Sequence, residues 1–480
     1  MRVDYLEGTM APVREETTLT DLAVTGALPE RLNGRYLRNG PNPIGEIDPA
    51  AYHWFTGDGM VHGVRLRDGR AEWYRNRWVR GPRAARLLGE PDRPAGGAAG
   101  MDLVGANTNV IGHAGRTLAL VEGGITNLEL TDELDTVGPC DFDGTLAGGY
   151  TAHPKRDPRT GELHAVSYSF TRGDRVQYSV IDVHGRARRT VDIPVGGSLM
   201  MHDFALTERH VVIYDLPVTF DADRVARASF PAPVRVPARL VIDALVGRVR
   251  IPDPIAASVG RRGSGAGLPY RWDPRRPARV GVMPREGGAD DVRWFEIGPC
   301  YVFHSLNAYD DGDTVVCDVV RHPKMFDTDL NGPNEGRTSL DRWIIDLAAG
   351  KVVESRRDDR YQEFPRVDER LTGHRHRYGY AVEVREGAGP SDTLLKHDLV
   401  EDTVRSRSFG PDKAVGEFVF DPAAPDAAED DGVLLGLVSD LPTGTTDLTV
   451  LDAATLETIA AVHIPARVPA GFHGNWVPSA

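Results

Sequence analysis

The chain has 480 residues, of which 41% are hydrophobic and 26% are charged, so it can bury a large core. Its 56 Lys and Arg residues against 70 Asp and Glu residues give a formal net charge of −14. We therefore expect no nucleic-acid partner, since such a partner needs a basic face. The three cysteines, at positions 140, 300 and 317, form no CxxC pair, which excludes a disulfide scaffold and a cysteine-type zinc site.

The N-terminal stretch MRVDYLEGTMAPVREETT lacks the apolar core of a signal peptide. No uncharged apolar run reaches the ~18 residues that a transmembrane helix needs. We therefore expect a cytoplasmic protein that at most contacts a membrane peripherally.

Short runs rich in Val, Leu, Ile, Tyr and Phe, each ending at Gly, Asp or Pro, dominate the chain and predict β-strands. In chain order they include RTLALVEGG (116–124), ELHAVSYSF (162–170), HVVIYDLPV (210–218), DTVVCDVVRHP (313–323), RYGYAVEV (377–384) and GVLLGLVSDLP (432–442). A second unit recurs, in which a strand is followed by an Asp, a turn and a polar return strand. Two examples are YSVIDVHGRARRTVDIP (178–194) and LTVLDAATLETIAAVHIP (448–465). This unit predicts a β-hairpin with one half in solvent.

Many short hairpins over such a length favour an all-β fold, and a β-propeller in particular. Several sandwich domains in series would need long linkers, and the chain has only loops such as those at 91–100 and 422–432. We predict one domain over residues 1–480, with an insertion around 222–275. Residues 222–258 mix aliphatic side chains with Arg and Pro, and they are interpreted either as an amphipathic element on a membrane surface or as an insertion packed across the propeller.

Four of the fifteen histidines stand apart, because each follows an apolar strand end and precedes small or polar residues. They are His153 in GYTAHPKRDP, His202 in SLMMHDFALT, His304 in CYVFHSLNAYDDG and His473 in GFHGNW. Taken singly, each is more typical of a packed core histidine. In a propeller, however, the inner strands of successive blades converge on one axis, where histidines from several blades can form a metal site. The other histidines, His322 among them, are interpreted as surface or packing residues.

Four neutral imidazoles are ligands that suit Zn, Cu, Fe or Ni. Carboxylates behind such ligands can accept the outward N–H of each ring and fix its orientation. Glu122 in LALVEGG, Glu363 in YQEFPRVD and Glu417 in VGEFVFDP lie within apolar runs, where a buried glutamate needs a partner. We interpret them either as supports of this kind or as edge-strand glutamates that face water.

Nine stretches in a fixed order, from residue 34 to the C-terminus, resemble the carotenoid cleavage oxygenase family. They are GRYLRNGPNP, HWFTGDGMVHGV, GANTNVIGHAGRTLALVEGG, TAHPKRDPRTGELHAVSYS, LPYRWDPRRPARVGVMPR, FHSLNAYDDGDTVVCDVVRH, EFPRVDERLTGHRHRYGY, GEFVFDP and IPARVPAGFHGNW. The specificity of the resemblance lies in the ordered set. It implies a seven-bladed β-propeller with a helical and loop cap over the active-site face, and a non-haem Fe(II) on the propeller axis. Matched motif by motif, the iron ligands are expected to be His153, His202, His304 and His473.

The resemblance also implies roles for the three glutamates and for one threonine. By the family pattern, Glu122, Glu363 and Glu417 support the second, third and fourth histidines in that order, which leaves His153 without a carboxylate. Thr108 in the stretch NTN matches a residue that crowds a vacant coordination position. The histidine near the C-terminus is then an iron ligand that the last strand carries to the axis.

The activity that the resemblance implies is oxidative cleavage of an alkene C=C bond of a carotenoid or apocarotenoid by O2, which gives two carbonyl products. Family members that bind phenols tend to carry a lysine immediately before the first glutamate, and this chain has Val121 there. The alternative substrate is a stilbene or phenylpropanoid-type aryl alkene. Two hypotheses of other classes are a propeller that binds a polyene without converting it and a zinc hydrolase at the same histidines. We expect no organic cofactor and no obligatory protein partner.

Overall fold

The computed structural model describes residues 5–49, 52–102, 104–246, 268–330, 335–385 and 391–479. Within these ranges the chain forms 32 strands and three short α-helices. The first thirteen strands are β1 (Thr18–Thr20), β2 (Val24–Gly26), β3 (Gly34–Pro41), β4 (Gly59–Arg67), β5 (Arg70–Trp78), β6 (Asn109–His113), β7 (Arg116–Leu120), β8 (Leu128–Leu130), β9 (Thr136–Pro139), β10 (Lys155–Arg156), β11 (Leu163–Tyr168), β12 (Arg175–Ile181) and β13 (Ala187–Pro194). Strands β6 to β9 and β10 to β13 form two antiparallel sheets in sequential order, as short hairpin connections dictate.

The remaining strands continue the same arrangement. They are β14 (Ala205–Leu206), β15 (His210–Asp215), β16 (Val218–Phe220), β17 (Tyr270–Trp272), β18 (Arg279–Pro284), β19 (Arg293–Glu296), β20 (Tyr301–Asp311), β21 (Thr314–His322), β22 (Ser339–Asp346), β23 (Lys351–Asp358), β24 (Gln362–Arg366), β25 (Tyr378–Glu383), β26 (Thr393–Asp398), β27 (Thr403–Ser408), β28 (Lys413–Pro422), β29 (Gly432–Asp440), β30 (Thr445–Asp452), β31 (Thr458–Ile464) and β32 (Gly474–Pro478). Strands β14, β15, β18 and β19 form one sheet, and β20 to β23 and β24 to β27 form the next two. The short strands β16 and β17 pair separately.

The two ends of the chain close the ring of sheets. Strand β32 pairs with β3, which gives a five-stranded sheet in the order β1-β5-β4-β3-β32. Strand β2 pairs with β31, which gives the order β2-β31-β30-β29-β28. The seven sheets of four or five strands are the blades of a seven-bladed β-propeller, so the predicted fold is confirmed.

The first strands of the later blades meet around the axis. Strand β20 contacts β24, β24 contacts β28, and β28 contacts β32. The first nine residues of β20 are all buried, whereas outer strands such as β13 alternate between half-buried and exposed residues. Residues on the axial strands therefore face the centre of the ring or a neighbouring blade.

Three of these axial strands carry β-bulges. The pairing of β20 with β21 shifts between Val302 and Ser305, and that of β24 with β25 shifts after Glu363. In β28 the pairing with β29 shifts between Val415 and Phe418. A bulge leaves a residue unpaired and turns its side chain, so each shift offers a place where a polar side chain can point at the axis.

The helices are α1 (Pro82–Leu87), α2 (Ala222–Ser229) and α3 (Arg235–Leu245). Helix α2 begins after Asp221, whose Oδ1 accepts hydrogen bonds from the main-chain N–H groups of Asp223 and Arg224. No helix in the described part of the chain has the length and apolar character needed to span a membrane. Residues 247–267 lie outside the described residues, and with them much of the second half of the predicted insertion at 222–275 and the end of segment 222–258. One domain with that insertion stays a prediction.

Candidate metal centre

Four buried histidines from four blades meet at the axis of the propeller. One ring nitrogen of each lies within 4.8 Å of the corresponding nitrogens of the others. The Nε2 atoms of His153 and His202 are 2.9 Å apart, and those of His304 and His473 are 3.1 Å apart. These are the four histidines that the sequence set apart, and the structure brings all of them together.

The local sequence places each imidazole at the start of a blade. His153 and His202 lie in the segments that lead into β10 and β14, His304 lies at the bulge of β20, and His473 directly precedes β32. Before His202, the side chains of Met200 and Met201 are buried in the largest apolar cluster of the described chain. The apolar lead-in therefore anchors the segment, while the histidine faces the axis.

The glycine-rich frame of His473 is explained by main-chain pairing and by lack of space. Asn39 donates its N–H to the carbonyl of His473 and accepts that of Phe472, each at 3.0 Å. A Cβ atom on Gly471 would lie 1.4 Å from Nη1 of Arg38, so any side chain there would have to displace Arg38 or the histidine segment. Gly474 donates its N–H to Oε2 of Glu417 at 2.9 Å. The frame holds the histidine segment against β3 and the neighbouring blade.

Three of the four rings have a glutamate behind them. Nδ1 of His202 lies 2.7 Å from Oε2 of Glu122. Nδ1 of His304 lies 2.5 Å from Oε2 of Glu363. Nδ1 of His473 lies 3.0 Å from Oε1 of Glu417.

His153 differs from the other three because none of these three glutamates lies behind its ring; its main-chain N–H donates to the hydroxyl oxygen of Thr151 at 3.2 Å. These pairings are the same as those implied by the family pattern. A carboxylate that accepts Nδ1–H leaves the lone pair on Nε2, which then faces the other rings.

Burial and neighbouring charges set the protonation of the site. Burial, together with the neighbouring imidazoles, holds the pKa of His153 well below its ordinary value. Burial also lowers the pKa of His473 to about 4, against the opposing effect of Glu417. For His304 burial acts in the same direction, but the carboxylate of Glu363 outweighs it and raises the pKa.

The two fully buried glutamates stay ionised. Burial raises the pKa of Glu363, but its two histidine partners outweigh that effect and lower it. The pKa of Glu417 is lowered as well, because Arg366 and His473 overcome the cost of burial. Imidazole nitrogens with anionic carboxylates behind them are the donor set of a divalent transition-metal site. The four histidines could therefore hold a metal ion.

Thr108 lies beside the ligand cluster and is buried. Its main-chain carbonyl accepts the N–H of His473 at 3.1 Å. Its hydroxyl donates to Oδ1 of Asn107 at 2.9 Å, so the polar atom of the side chain is already engaged.

The sequence analysis missed two residues that contact the glutamates. His322 at the end of β21 is fully buried, and its Nε2 lies 2.7 Å from Oε1 of Glu363. The hydroxyl of Tyr168 donates to Oε1 of Glu122 at 3.2 Å. No local signal marks either residue, because each partner lies on another blade. Only the pairing of blades could have indicated them.

Aromatic side chains surround the histidines. The ring of Phe303 lies 5.1 Å from that of His202, and the ring of Phe364 lies 5.6 Å from that of His304. Phe55 packs edge-on against Phe303 at 5.9 Å. Aromatic walls of this kind exclude water and suit an apolar ligand.

Comparisons with known proteins agree with this architecture. The family model described as retinal pigment epithelial membrane protein matches residues 10–478. The chain is 60% identical to the carotenoid cleavage oxygenase of Mycobacterium tuberculosis over 99% of its own length and 97% of that protein. It is 31% identical to the carotenoid 9,10(9',10')-cleavage dioxygenase of Crocus sativus, over 98% and 89% of the two chains. Isoeugenol monooxygenase of Pseudomonas putida is 29% identical, over 98% and 97%.

Two solved structures share the fold along nearly their whole length. Lignostilbene dioxygenase of Pseudomonas brassicacearum superposes with a TM-score of 0.82 at 27% identity, covering 99% of both chains. The cobalt-substituted Synechocystis ACO, an apocarotenoid oxygenase, superposes with a TM-score of 0.78 at 27% identity, over 98% and 97% of the two chains. The chain belongs to the carotenoid cleavage oxygenase family, also described as the retinal pigment epithelial membrane protein family. The protein is an oxygenase with a four-histidine metal-binding site.

Proposed function

We propose that the protein is a non-haem Fe(II) dioxygenase that cleaves a C=C bond of a carotenoid or apocarotenoid with O2. The conversion breaks one double bond and adds one oxygen atom to each of its carbons, giving two aldehydes or ketones. Both atoms of O2 are used, so no reductant is needed. The observation that carries the proposal is the convergence of four buried imidazoles, three of them backed by a glutamate.

The ligands in this proposal are His153, His202, His304 and His473. When bound there, Fe(II) would supply the site at which O2 is activated. Neutral nitrogen ligands leave the charge of the ion undiminished, and their number leaves coordination space open. We assign Thr108 to the edge of that space, since its carbonyl is bonded to His473 and its hydroxyl to Asn107.

The three glutamates act as supports of the ligands in this proposal. Each accepts or faces the Nδ1 of one ring, which fixes the tautomer and directs Nε2 to the axis. The lowered pKa values of Glu363 and Glu417 support this role, because an ionised carboxylate is a good acceptor and a poor proton donor. We therefore assign none of them to acid–base catalysis.

An apolar substrate is supported by the aromatic walls around the histidines. Phe55, Phe303 and Phe364 offer ring faces and edges to a polyene, which has few polar atoms to satisfy. The printed names of the relatives support a carotenoid or apocarotenoid. The names isoeugenol monooxygenase and lignostilbene dioxygenase support the alternative, an aryl alkene.

Val121 favours the polyene among these substrates. Its side chain is buried in an apolar cluster with Val110 and Ala119 rather than offering a cation to a phenol. A phenolic substrate would have to find its polar partner elsewhere.

The test is incubation of the Fe(II)-loaded protein in air with β-apo-8′-carotenal and with resveratrol, followed by mass spectrometry of the products and measurement of O2 uptake. Apocarotenoid fragments, with one O2 consumed per alkene, are expected. Hydroxybenzaldehydes alone would favour the aryl alkene. Cleavage of an added ester substrate without O2 would favour a hydrolase, and tight binding of the alkenes without conversion would favour a polyene carrier.

We also propose peripheral contact with a membrane through α3. Four aliphatic side chains of this helix are between 42% and 67% exposed, namely Val236, Leu240, Val241 and Leu245. Such a patch on a short helix suits the interface of a bilayer, from which an apolar substrate can be drawn.

The membrane proposal is tested by flotation with phosphatidylcholine vesicles. The double variant Leu240→Asp and Val241→Asp is expected to reduce the floating fraction severalfold. Val353→Asp, at a 60% exposed position on the outer strand β23, serves as the control and should float like the wild type. Equal flotation of all three proteins would contradict the assignment to α3.

A further inference from the structure

Glu363 is the one glutamate of the site that contacts two imidazoles within the described ranges. Its Oε2 lies 2.5 Å from Nδ1 of His304 and accepts the main-chain N–H of Phe364 at 2.6 Å. Its Oε1 lies 2.7 Å from Nε2 of His322. A carboxylate oxygen accepts hydrogen bonds, so each ring presents an N–H group to Glu363.

In each glutamate, the oxygen that does not face the Nδ1 of a ligand histidine has a hydrogen-bond donor of its own. Oε2 of Glu417 is held by the main-chain N–H of Gly474, and Oε1 of Glu122 by the hydroxyl of Tyr168. For Glu363, the donor to the second oxygen, Oε1, is Nε2 of His322. Without His322, Oε1 of Glu363 would be a buried oxygen that has lost its imidazole donor, which costs free energy. The carboxylate could then rotate away from His304.

The ring of His322 is itself held in place. It is fully buried, and Phe303 packs edge-on against it with ring centroids 5.1 Å apart. The pairing of β20 with β21 places His322 opposite Tyr301, three residues before the ligand His304. Its Nδ1 has no partner in the part of the chain that the structure describes. A hydrogen on Nε2 satisfies the contact with Glu363.

We propose that His322 is a positioning residue of the metal centre, which acts through Glu363 on the orientation of His304. It does not touch the ion or the substrate in this proposal. The inference rests on the proposed function only in requiring that the four histidines bind a metal. It is independent of the substrate and of the reaction.

The test compares Co(II) binding to the wild type and to His322→Phe, His322→Gln and His322→Asn. Affinity is measured by competition with a chelator, and the geometry of the site by the visible d–d absorption of bound Co(II). The phenylalanine variant keeps a planar ring but loses the donor. It is expected to bind Co(II) about 10-fold more weakly, with an altered d–d spectrum. The amide N–H of glutamine can reach the position of Nε2, so His322→Gln is expected to recover most of the affinity and the spectrum.

The matched control is His164→Phe. His164 is also buried, with one ring nitrogen bonded (to the hydroxyl of Tyr178 at 2.7 Å) and the other without a partner among the described residues. The His164→Phe variant should bind Co(II) with the affinity of the wild type. If His322→Phe does not fold, the asparagine variant, whose N–H is too short to reach Glu363, takes its place and should bind more weakly than the glutamine variant.

Wild-type affinity and an unchanged spectrum in a folded His322→Phe variant would overturn the inference. So would equal affinities of the glutamine and asparagine variants. A wild-type protein that binds no Co(II) would instead overturn the proposed function, so the two failures are distinguishable.

Discussion

The Nε2 atoms of His153 and His202 lie 2.9 Å apart, with ring centroids separated by 4.4 Å. Without a metal, one ring must donate Nε2–H to the other. His153 can do so, since its Nδ1 is not backed by one of the three glutamates. A divalent cation between the rings meets two lone pairs instead. The pair therefore favours a bound ion over a hydrogen bond whenever a suitable metal is present.

Metal binding should stabilise the folded protein. An ion that binds only the native state at 100 times its Kd contributes about 2.7 kcal/mol to the free energy of unfolding. Thermal unfolding of the metal-free protein is expected to shift upward when Fe(II) or Co(II) is added. The same shift should be absent in His153→Ala. A variant that responds like the wild type would exclude His153 from the ligand set.

His473→Ala should lose iron and activity together. The substitution removes one of four nitrogens and leaves Glu417 buried without its imidazole partner. Iron per chain is measured by elemental analysis alongside product formation. His463→Ala is the control, because that histidine is 43% exposed on the outer strand β31 and bonds to Asp447. An iron-replete and fully active His473→Ala protein would remove this residue from the site.

Gly471→Ala should weaken metal binding without changing a ligand. The added Cβ would overlap the guanidinium of Arg38, whose Nη2 donates to the carbonyl of Pro469 at 2.5 Å. Either Arg38 or the segment that carries His473 must move. We expect at least about 10-fold weaker Co(II) affinity, comparable to loss of a supporting contact. Gly138→Ala is the control, since a Cβ there would meet no atom within 4 Å. Equal Co(II) affinities of Gly471→Ala and the wild type would show that Arg38 moves aside without displacing His473.

Glu363→Gln should weaken metal binding more than Glu122→Gln does. Both oxygens of Glu363 accept N–H groups, so one amide NH2 must face a donor in the glutamine variant. Glu122 is more exposed, with 15% of its side chain accessible, and its Oε1 contacts the hydroxyl of Tyr168, a group that can accept as well as donate. Metal affinity is expected to fall by roughly 10- to 100-fold in Glu363→Gln and by less in Glu122→Gln. The reverse order in chelator competition would contradict the hydrogen bonding described for Glu363.

Acid should destabilise the metal-free protein through histidines that are buried and neutral. Burial lowers the pKa of His164 from 6.5 to about 3. Between these two values the unfolded chain binds a proton that the native state does not, so the free energy of unfolding falls as the pH falls. The slope is about 1.4 kcal/mol per pH unit for one such group, or about 3 kcal/mol between pH 6.5 and 4.

The measurement is urea unfolding across this pH range with the wild type and with His164→Gln. The variant should show a shallower dependence of the free energy of unfolding on pH, by about one proton. His184→Gln is the control, since that histidine lies in an exposed turn. Identical slopes of the wild type and His164→Gln would show that His164 is protonated in the folded protein.

Residues marked by their immediate neighbours were predictable from the sequence. The four histidines follow apolar strand ends, the three glutamates interrupt apolar runs, and the structure brings these seven residues together. The number of blades came from the family resemblance, because irregular hairpin spacing does not give it. The propeller fold itself followed from the hairpin pattern.

His322 and His164 were not predictable, for a different physical reason. His322 meets a glutamate 41 residues further along, on the next blade, and nothing in RHP indicates this contact. His164 stands in ELHAVSYSF, a run that suggests one exposed face, yet all six residues of β11 are buried. Strands near the axis are covered on both faces. The alternation of apolar and polar residues along such a strand therefore does not separate buried from exposed positions.

The closure of the first blade by β32 has a consequence for synthesis of the protein. His304 precedes His473 by 169 residues, so a ribosome that has delivered three of the imidazoles still has the rest of that blade, two further blades and the closing strand to make. A nascent chain therefore presents an incomplete donor set on an open ring. The four-histidine donor set is complete only after residues 473–478 leave the exit tunnel, so closure of the ring also completes the candidate metal site.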